Sequence, residues 1–190
     1  MKSKKDLILA SKSPRRKQLM EQIGLKFKIH PSSFEEKEIH LTPEKLALHN
    51  AIGKAKEVAG QYKKGIVIGV DTVVSFKEEQ INKPKNKKDA KRILRLLSGK
   101  KHKVCSGICL IDVENGKKRT GIEVTFVTMA KISEEEMDQY INSEEGFDKA
   151  GGYAIQGKGA LFIKKIEGDY NNVVGLPLFL LGQLLKSNSL

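Results

Sequence analysis

Serine, proline and arginine side chains follow one another near the start of the chain, in an order suited to binding phosphate. Residues 7–16 read LILASKSPRR, an apolar run that leads into Ser13, Pro14, Arg15 and Arg16. The pattern predicts a buried strand followed by a helix, with the serine at the N-cap and the proline at the first helical position. Free N–H groups, the positive end of the helix dipole, hydroxyls and guanidinium groups would then face one polyanion. A well-capped helix with solvated arginines is the alternative that this segment alone leaves open.

A carboxylate lies in the middle of an apolar segment. Residues 66–76 read IVIGVDTVVSF, which predicts a buried strand that contains Asp71. A buried charge is strongly unfavourable without a metal ion, a basic partner or backbone donors. The alternative is an aspartate that ends the strand and caps a turn, although the strand pattern continues through VVSF.

Charged residues elsewhere supply candidate partners for that carboxylate and for a phosphate. Glu35 or Glu36 could join Asp71 in an oxygen-ligand site for Mg²⁺ or Mn²⁺, or both could be solvated. Lys54 lies at the rim of the buried stripe of a predicted helix, where it could reach into a cleft or extend along the surface. Lys83 precedes a proline and, taken alone, is typical of a turn.

A glycine-dense segment could bring the backbone close to a ligand. Residues 148–162 read DKAGGYAIQGKGALF, and such a density of small residues permits close approach. The amide of Gln156 offers both a donor and an acceptor, which suits the edge of a base. An ordinary glycine-rich hairpin is the alternative. The four histidines show no metal-ligand spacing, and no role is assigned to them.

The elements that would position these residues alternate early between strands and helices and then depart from a strict βαβ series. The periodicity predicts four further helices, over residues 42–59, 86–98, 133–141 and 177–186. It also predicts a hairpin whose strands span residues 104–113 and 122–130. Because a hairpin interrupts the series, the pattern favours an α/β fold with a mixed sheet over a parallel one.

Size and charge bound the classes of protein to which the chain belongs. The length of 190 residues suits a single domain over residues 1–190, which could consist of two small lobes. The net charge is +12, from 35 basic and 23 acidic residues, and this favours anionic partners. Aromatic residues make up 6% and tryptophan is absent, so little material exists for stacking the bases of a nucleic acid.

Cysteine usage and hydropathy indicate a cytoplasmic location. Cys105 and Cys109 lie four residues apart in a predicted strand, about 13 Å between Cα atoms, which is beyond the reach of a disulfide. We expect core thiols in a reducing compartment. The basic residues between Lys2 and Lys5 precede only four apolar residues, and no segment approaches the ~20 apolar residues of a membrane span, so neither a signal peptide nor a membrane is expected.

Six segments, in this order, together resemble the Maf family of nucleoside triphosphate pyrophosphatases. They are LILASKSPRR (7–16), GVDTVVSF (69–76), NKP (82–84), LSGKKHKV (97–104), DKAGGYAIQG (148–157) and GDYNNVVGLP (168–177). The family usually has ADT where this chain has Val70, Asp71 and Thr72. The resemblance implies a two-lobed mixed β-sheet with flanking helices and a central cleft, similar to inosine triphosphate pyrophosphatases.

The same resemblance implies roles for individual residues. Asp71 would be the catalytic carboxylate and, with Glu36, would bind a divalent cation, Mg²⁺ or Mn²⁺. Four residues would bind phosphate, namely Ser13, Arg16, Lys54 and Lys83. Three others would select the base, namely Arg15, Thr72 and Gln156. These three are similar to the branch that acts on dTTP and UTP, whereas the branch that acts on 7-methyl-GTP tends to have Trp in place of Arg15 and Glu in place of Gln156.

The implied reaction is hydrolysis between the α- and β-phosphates of a nucleoside triphosphate, which yields a nucleoside monophosphate and pyrophosphate. Water would be the nucleophile, Asp71 could take its proton, and lysines and arginines would stabilise the leaving pyrophosphate. No specific nucleic acid and no membrane are expected as partners, and a homodimer is among the oligomeric states left open. Two alternatives are a basic nucleic-acid-binding module and a non-catalytic regulator of septum formation.

Overall fold

The computed structural model describes residues 5–36 and 39–186, in which seven strands form one sheet with helices packed around it. The strands are β1 Leu7–Leu9, β2 Phe27–Ile29, β3 Ile66–Phe76, β4 Glu79–Ile81, β5 Lys101–Asp112, β6 Lys118–Met129 and β7 Ile163–Glu167. The α-helices are α1 Pro14–Gln22, α2 Pro43–Ala59, α3 Lys87–Leu97, α4 Glu134–Asn142, α5 Tyr170–Val174 and α6 Leu178–Lys186. Two short 3-10 helices span Ala150–Gly152 and Lys158–Phe162.

The sheet is mixed, as the sequence pattern predicts. Its strand order is β2-β1-β3-β5-β6-β7, and β4 pairs separately with β3. β1 is parallel to both β2 and β3, whereas β3, β5, β6 and β7 are antiparallel to their neighbours. The mixed α/β fold with flanking helices is thereby confirmed. The glycine-rich segment contains the two 3-10 helices, so the hairpin alternative for that segment is wrong.

One edge of β3 is left open at its centre. β1 pairs with residues 66–68 of β3, and β4 pairs with residues 74–76. Asp71 lies between these two pairings, so its side of the strand faces a gap that neither neighbour fills. β1 ends beside this gap, and α1 begins there. The carboxyl end of a parallel strand and the amino end of a helix are where α/β proteins bind anionic ligands.

Helix α2 lies unusually close to the sheet because glycines lie beneath it. A Cβ atom on Gly69 would collide with the carbonyl oxygen of Ala51, and one on Gly107 would lie 2.5 Å from the carbonyl oxygen of Ala47. Gly69 is on β3, and Gly107 pairs with Asp71 from β5. The close approach brings the buried face of α2 within side-chain reach of Asp71.

Two main cores lie on either side of this point. Val70 packs in a cluster with residues of α1 and α6, such as Met20 and Leu181. Val74 packs in another cluster with residues of α3 and α4, such as Leu94. Because Asp71 lies between these two positions of β3, the gap opens between two packed halves, as the expected two-lobed arrangement requires.

Other sequence predictions can be compared directly with the fold. Cys105 and Cys109 are buried and free, as expected. Within the described ranges, no helix has both the length and the apolar character that a membrane span requires. Lys2 and Lys4, on which the expectation about a signal peptide partly depends, lie outside the described residues.

Candidate active site

Asp71 is buried at the gap in β3 and has a donor on each carboxylate oxygen. The residue is 7% exposed. The Lys54 Nζ lies 2.6 Å from Asp71 Oδ1, and the Asn50 Nδ2 donates to Asp71 Oδ2 at 3.0 Å. Both donors come from α2, where they are one helical turn apart on the same face. A basic partner thus accompanies the buried charge, which is one of the three compensations that the sequence leaves open.

Lys54 also connects Asp71 to a second carboxylate. Its Nζ lies 2.6 Å from Glu36 Oε1, so two acids converge on one ammonium group. The lysine side chain is only 14% exposed, which shows that it reaches into the cleft. Glu36 makes this contact, whereas Glu35 lies exposed beside it.

Arg16 connects three elements around the gap. Its Nε donates to the carbonyl oxygen of Gly175 at 2.9 Å, and its two terminal nitrogens donate to Ser11 Oγ at 3.0 Å and Thr72 Oγ1 at 3.2 Å. Burial lowers the pKa of Arg16 from its ordinary value, while the charge of Asp71 opposes that shift. The guanidinium therefore joins β3 to the segment that follows β1 and to the residue that follows α5, and it also lines the cleft.

The amino end of α1 keeps polar groups available toward the cleft. Ser13 is the N-cap, as predicted, but its side chain makes no capping hydrogen bond. Both Ser13 and the exposed Lys12 line the cleft. Arg15 extends across the opening and pairs with Asp148 on the opposite wall at 3.0 Å. Arg15 and Lys149 hold the pKa of Asp148 below its usual range, against the opposing effect of burial.

The wall that contains Gln156 is held by Glu145. This carboxylate accepts from the backbone N–H groups of Lys158 and Gly159, each at 3.0 Å, and from the hydroxyl of Tyr140 at 3.1 Å. Burial opposes these hydrogen bonds, but they prevail and keep the pKa of Glu145 below its usual range. Gln156 is exposed to the cleft within the loop that they hold. The residue therefore borders the space that a ligand would fill.

The cleft itself is large and is lined by more basic than acidic side chains. Its volume is 1010 Å³, at the upper end of the range of about 300–1,000 Å³ for ligand pockets. All the predicted site residues line it, namely Ser13, Arg15, Arg16, Glu36, Lys54, Asp71, Thr72, Lys83 and Gln156. Lys83 is exposed on the wall that follows β4. The roles assigned to these residues stay predictions, although the structure brings the residues together.

The acidic pair offers the donors that a divalent cation would need. In residues 5–36 and 39–186, no group of three or more His, Cys, Asp or Glu residues could hold a metal ion. Asp71 and Glu36 nevertheless direct oxygens at one point, which the ammonium of Lys54 fills. Carboxylate oxygens suit Mg²⁺, which commonly takes its other ligands from water and from substrate phosphates. The donor set therefore fits such an ion once a phosphate supplies further oxygens.

Several residues of the site were not singled out from the sequence. Glu145 lies just before the glycine-dense segment, and nothing in its local pattern predicts that it faces the cleft. Asp148 opens that segment, but the sequence carries no signal of its pairing with Arg15. Asn50 has a detectable signal, because it is an amide on the otherwise apolar stripe of α2 and lies one turn before Lys54. Only the family resemblance points to Thr72, and no sequence pattern indicates its contacts with Arg16 and with Ser106 at 2.8 Å.

Comparison with known proteins gives the chain a family and close relatives. The sequence matches the family described as "Maf-like protein" over residues 6–188. A protein of Ruminiclostridium cellulolyticum named dTTP/UTP pyrophosphatase is 47% identical over 184 residues, 96% of this chain and 95% of that protein. Proteins with the same name from Methanosarcina barkeri and Dictyoglomus thermophilum are 45% and 47% identical, over 96% of this chain and 93% and 96% of their own lengths.

Proposed function

This chain belongs to the Maf-like protein family, and from that premise we propose that it hydrolyses nucleoside triphosphates, with dTTP and UTP preferred, to nucleoside monophosphate and pyrophosphate. The observation that carries the proposal is the cleft at the gap in β3. There a buried carboxylate faces a wall of cationic side chains and the amino end of α1. The relatives named dTTP/UTP pyrophosphatase, which match the chain almost end to end, support the same reaction.

The residues around the cleft would have different roles in this reaction. Ser13, Arg16, Lys83 and the amino end of α1 would bind the phosphates. Asp71 would hold the attacking water and take its proton. Lys54, now paired with Asp71 and Glu36, would be released toward phosphate oxygens when substrate enters, because the triphosphate offers a denser negative charge. The charge that develops on the leaving pyrophosphate would be stabilised by these cations.

A divalent cation, Mg²⁺ or Mn²⁺, would be held by Asp71 and Glu36. When bound, it supplies the polarisation of phosphate oxygens and the acidification of water that metal-assisted hydrolysis uses. We further propose that the enzyme acts in the cytoplasm, where its nucleotide substrates are found, as one domain over residues 1–190.

The exposed amide of Gln156 supports the preference for a pyrimidine. Uracil and thymine present alternating acceptor and donor groups, which an amide can match from one side chain. Arg15 and Thr72, which line the same cleft, would act with it. A nucleic-acid-binding module is not favoured, because the aromatic content is 6% and the relatives are named as pyrophosphatases.

The test is a product analysis of the purified protein with UTP, dTTP, GTP and 7-methyl-GTP in the presence of Mg²⁺. We expect equal amounts of monophosphate and pyrophosphate, with UTP and dTTP turned over fastest. In ¹⁸O-labelled water, attack at the α-phosphate places the label in the monophosphate. Nucleoside diphosphate and phosphate as products would contradict the proposal. Activity that is undiminished in folded Asp71→Asn protein would contradict the catalytic role proposed for Asp71.

A further inference from the structure

Asn50 contacts the proposed catalytic carboxylate from behind the cleft. It is 3% exposed and does not line the cleft, so it has no path to the substrate. Its Nδ2 donates to Asp71 Oδ2 at 3.0 Å, while Asp71 Oδ1 is bound by Lys54. Because an ionised carboxylate has no proton to give, only the N–H end of the amide can face it.

The other end of this amide is unsatisfied. Asn50 Oδ1 is buried and has no hydrogen-bond partner in the part of the chain that the structure describes. Its neighbours on the buried face of α2 include Leu46, Ala47 and Ala51, which are apolar. A buried acceptor without a partner reduces stability, so packing alone would favour an apolar residue at this position. Residues that violate such a rule are expected where function requires them.

The geometry explains what the amide could contribute. The last torsion of an aspartate side chain is broad, so a carboxylate held by one donor can rotate. Lys54 is itself shared with Glu36 and would move when phosphate arrives, which would leave Asp71 without a fixed partner. The bond from Asn50 does not depend on the contents of the cleft. It would keep Oδ2 turned toward α2 and Oδ1 turned toward the substrate.

We propose that Asn50 is a positioning residue that fixes the plane of the Asp71 carboxylate and reserves its Oδ1 oxygen for the reaction. The inference rests on the proposed function, because it assigns a role through Asp71. It concerns turnover and not substrate binding, since Asn50 does not reach the cleft.

The experiment compares Asn50→Leu, which keeps a similar size without a donor, with the parent protein and with Val58→Ala. Val58 is fully buried on the same helix, two turns from Asn50, and its truncation reduces packing in a core cluster that does not include Asp71. For Asn50→Leu we expect kcat for UTP to fall about 10- to 100-fold, the range for a hydrogen bond to a charged group, while KM stays within about twofold. Its thermal midpoint should change little, because removal of the unsatisfied Oδ1 stabilises the fold while loss of the donor to Asp71 destabilises it. Val58→Ala should lower the midpoint and leave kcat unchanged.

A second measurement identifies the residue through which Asn50 acts. In an Asp71→Asn background, Asn50→Leu should cause no further loss of kcat beyond about twofold, because the carboxylate it orients is already gone. A further loss equal to that in the parent background would overturn the inference. So would a parent-like kcat in Asn50→Leu, a raised KM at constant kcat, or a fall in kcat that matches a lowered thermal midpoint. A parent protein without turnover would overturn the proposed function instead.

Discussion

At the residue scale, the site depends on a carboxylate and an ammonium that are both largely removed from water. Lys54 and Asp71 lie 2.6 Å apart with side chains 14% and 10% exposed. Breaking a buried pair by removing one partner commonly costs about 3–5 kcal/mol, because the other charge is left without compensation. Here Glu36 is a second partner for Lys54, so loss of the Asp71 charge still leaves the ammonium paired. The site can therefore tolerate a change in the partners of Lys54.

The first prediction concerns Asp71→Asn. The variant should fold, because the amide keeps the shape of the side chain and Lys54 keeps Glu36. Turnover of UTP should fall at least about a hundredfold, the scale of a positioned acid–base group. Steady-state kinetics with circular dichroism as the control for folding would test this. Near-normal turnover in the folded variant would remove Asp71 from the catalytic role.

The second prediction concerns the phosphate-binding cations. Lys83→Ala should weaken transition-state binding by about 1.5–3 kcal/mol, the range for hydrogen bonds to charged groups, without loss of stability, because Lys83 is exposed. Arg16→Ala should cause a similar loss in kcat/KM and should also lower the thermal midpoint, since Arg16 joins Ser11, Thr72 and Gly175.

Lys85→Ala is the matched control for Lys83, because Lys85 is an exposed lysine two positions away that does not line the cleft. If Lys83→Ala and Lys85→Ala both have the kcat/KM of the parent at low salt, Lys83 is an ordinary turn residue.

At the element scale, the loop that contains Gln156 is held by bonds from outside itself. Glu145 binds its distal end through two backbone N–H groups, and the hydroxyl of Tyr140 accepts from the N–H of Ala154 at 2.9 Å. Tyr153 beside it is fixed by a 2.7 Å hydrogen bond between its hydroxyl and Nε2 of His102 on β5. A glycine-rich loop is thereby given a defined shape, which selection between bases requires.

The third prediction concerns Gln156→Glu. A carboxylate has no N–H donor and repels the carbonyl oxygens of a pyrimidine, so hydrolysis of UTP and dTTP should fall relative to that of GTP and 7-methyl-GTP. The measurement is kcat/KM for the four nucleotides. Gln139→Glu adds the same charge on the exposed face of α4, away from the cleft, and should leave the ratios unchanged. Unchanged ratios in Gln156→Glu itself would exclude this residue from base selection.

At the scale of the whole molecule, the long elements could be predicted and the contacts between them could not. β3 spans Ile66–Phe76 as predicted, the hairpin of β5 and β6 is present, and the capping box of Ser133 and Glu136 begins α4. Apolar periodicity and capping chemistry are local, so one sequence reveals them. The three-residue strands β2 and β4 carry no such signal. β1 is equally short but wholly apolar and buried, whereas β2 and β4 are mostly exposed and depend on their neighbours for pairing.

The candidate site shows the same division between local and tertiary information. The buried charge at Asp71 was evident from its apolar neighbours, and so was the need for a partner. That the partner is Lys54, with Asn50 beside it, depends on how closely α2 approaches the sheet. The pairing of Arg15 with Asp148 joins residues 133 positions apart, and no local pattern encodes it.

The fourth prediction concerns acid stability and the buried His102. Burial lowers the pKa of His102 from 6.5 to about 4, so the folded protein holds it neutral where the unfolded chain would take up a proton. The unfolded state then binds more protons between these two pH values, and stability must rise with pH across that interval. On acidification from pH 6.5 toward 4, this residue should reduce the free energy of unfolding by up to about 3 kcal/mol.

Chemical denaturation at a series of pH values would test this. His102→Gln removes the titrating group and should flatten the pH dependence in that interval, while the same change at the exposed His40 should not. Equal slopes for the parent and His102→Gln would show that the buried histidine does not govern acid stability.

The close packing of α2 against Gly69 and Gly107 restricts the substitutions that this protein can tolerate. Two hydrogen atoms, one on each α-carbon, set the separation between the helix and the sheet, and that separation brings Lys54 and Asn50 within reach of Asp71. Neither glycine lines the cleft. A saturation mutagenesis screen for activity should nevertheless find both positions intolerant of even a methyl group. Replacing strand glycines with alanine is a common way to raise thermal stability. At these two positions the replacement would abolish catalysis, although neither residue lies in the cleft.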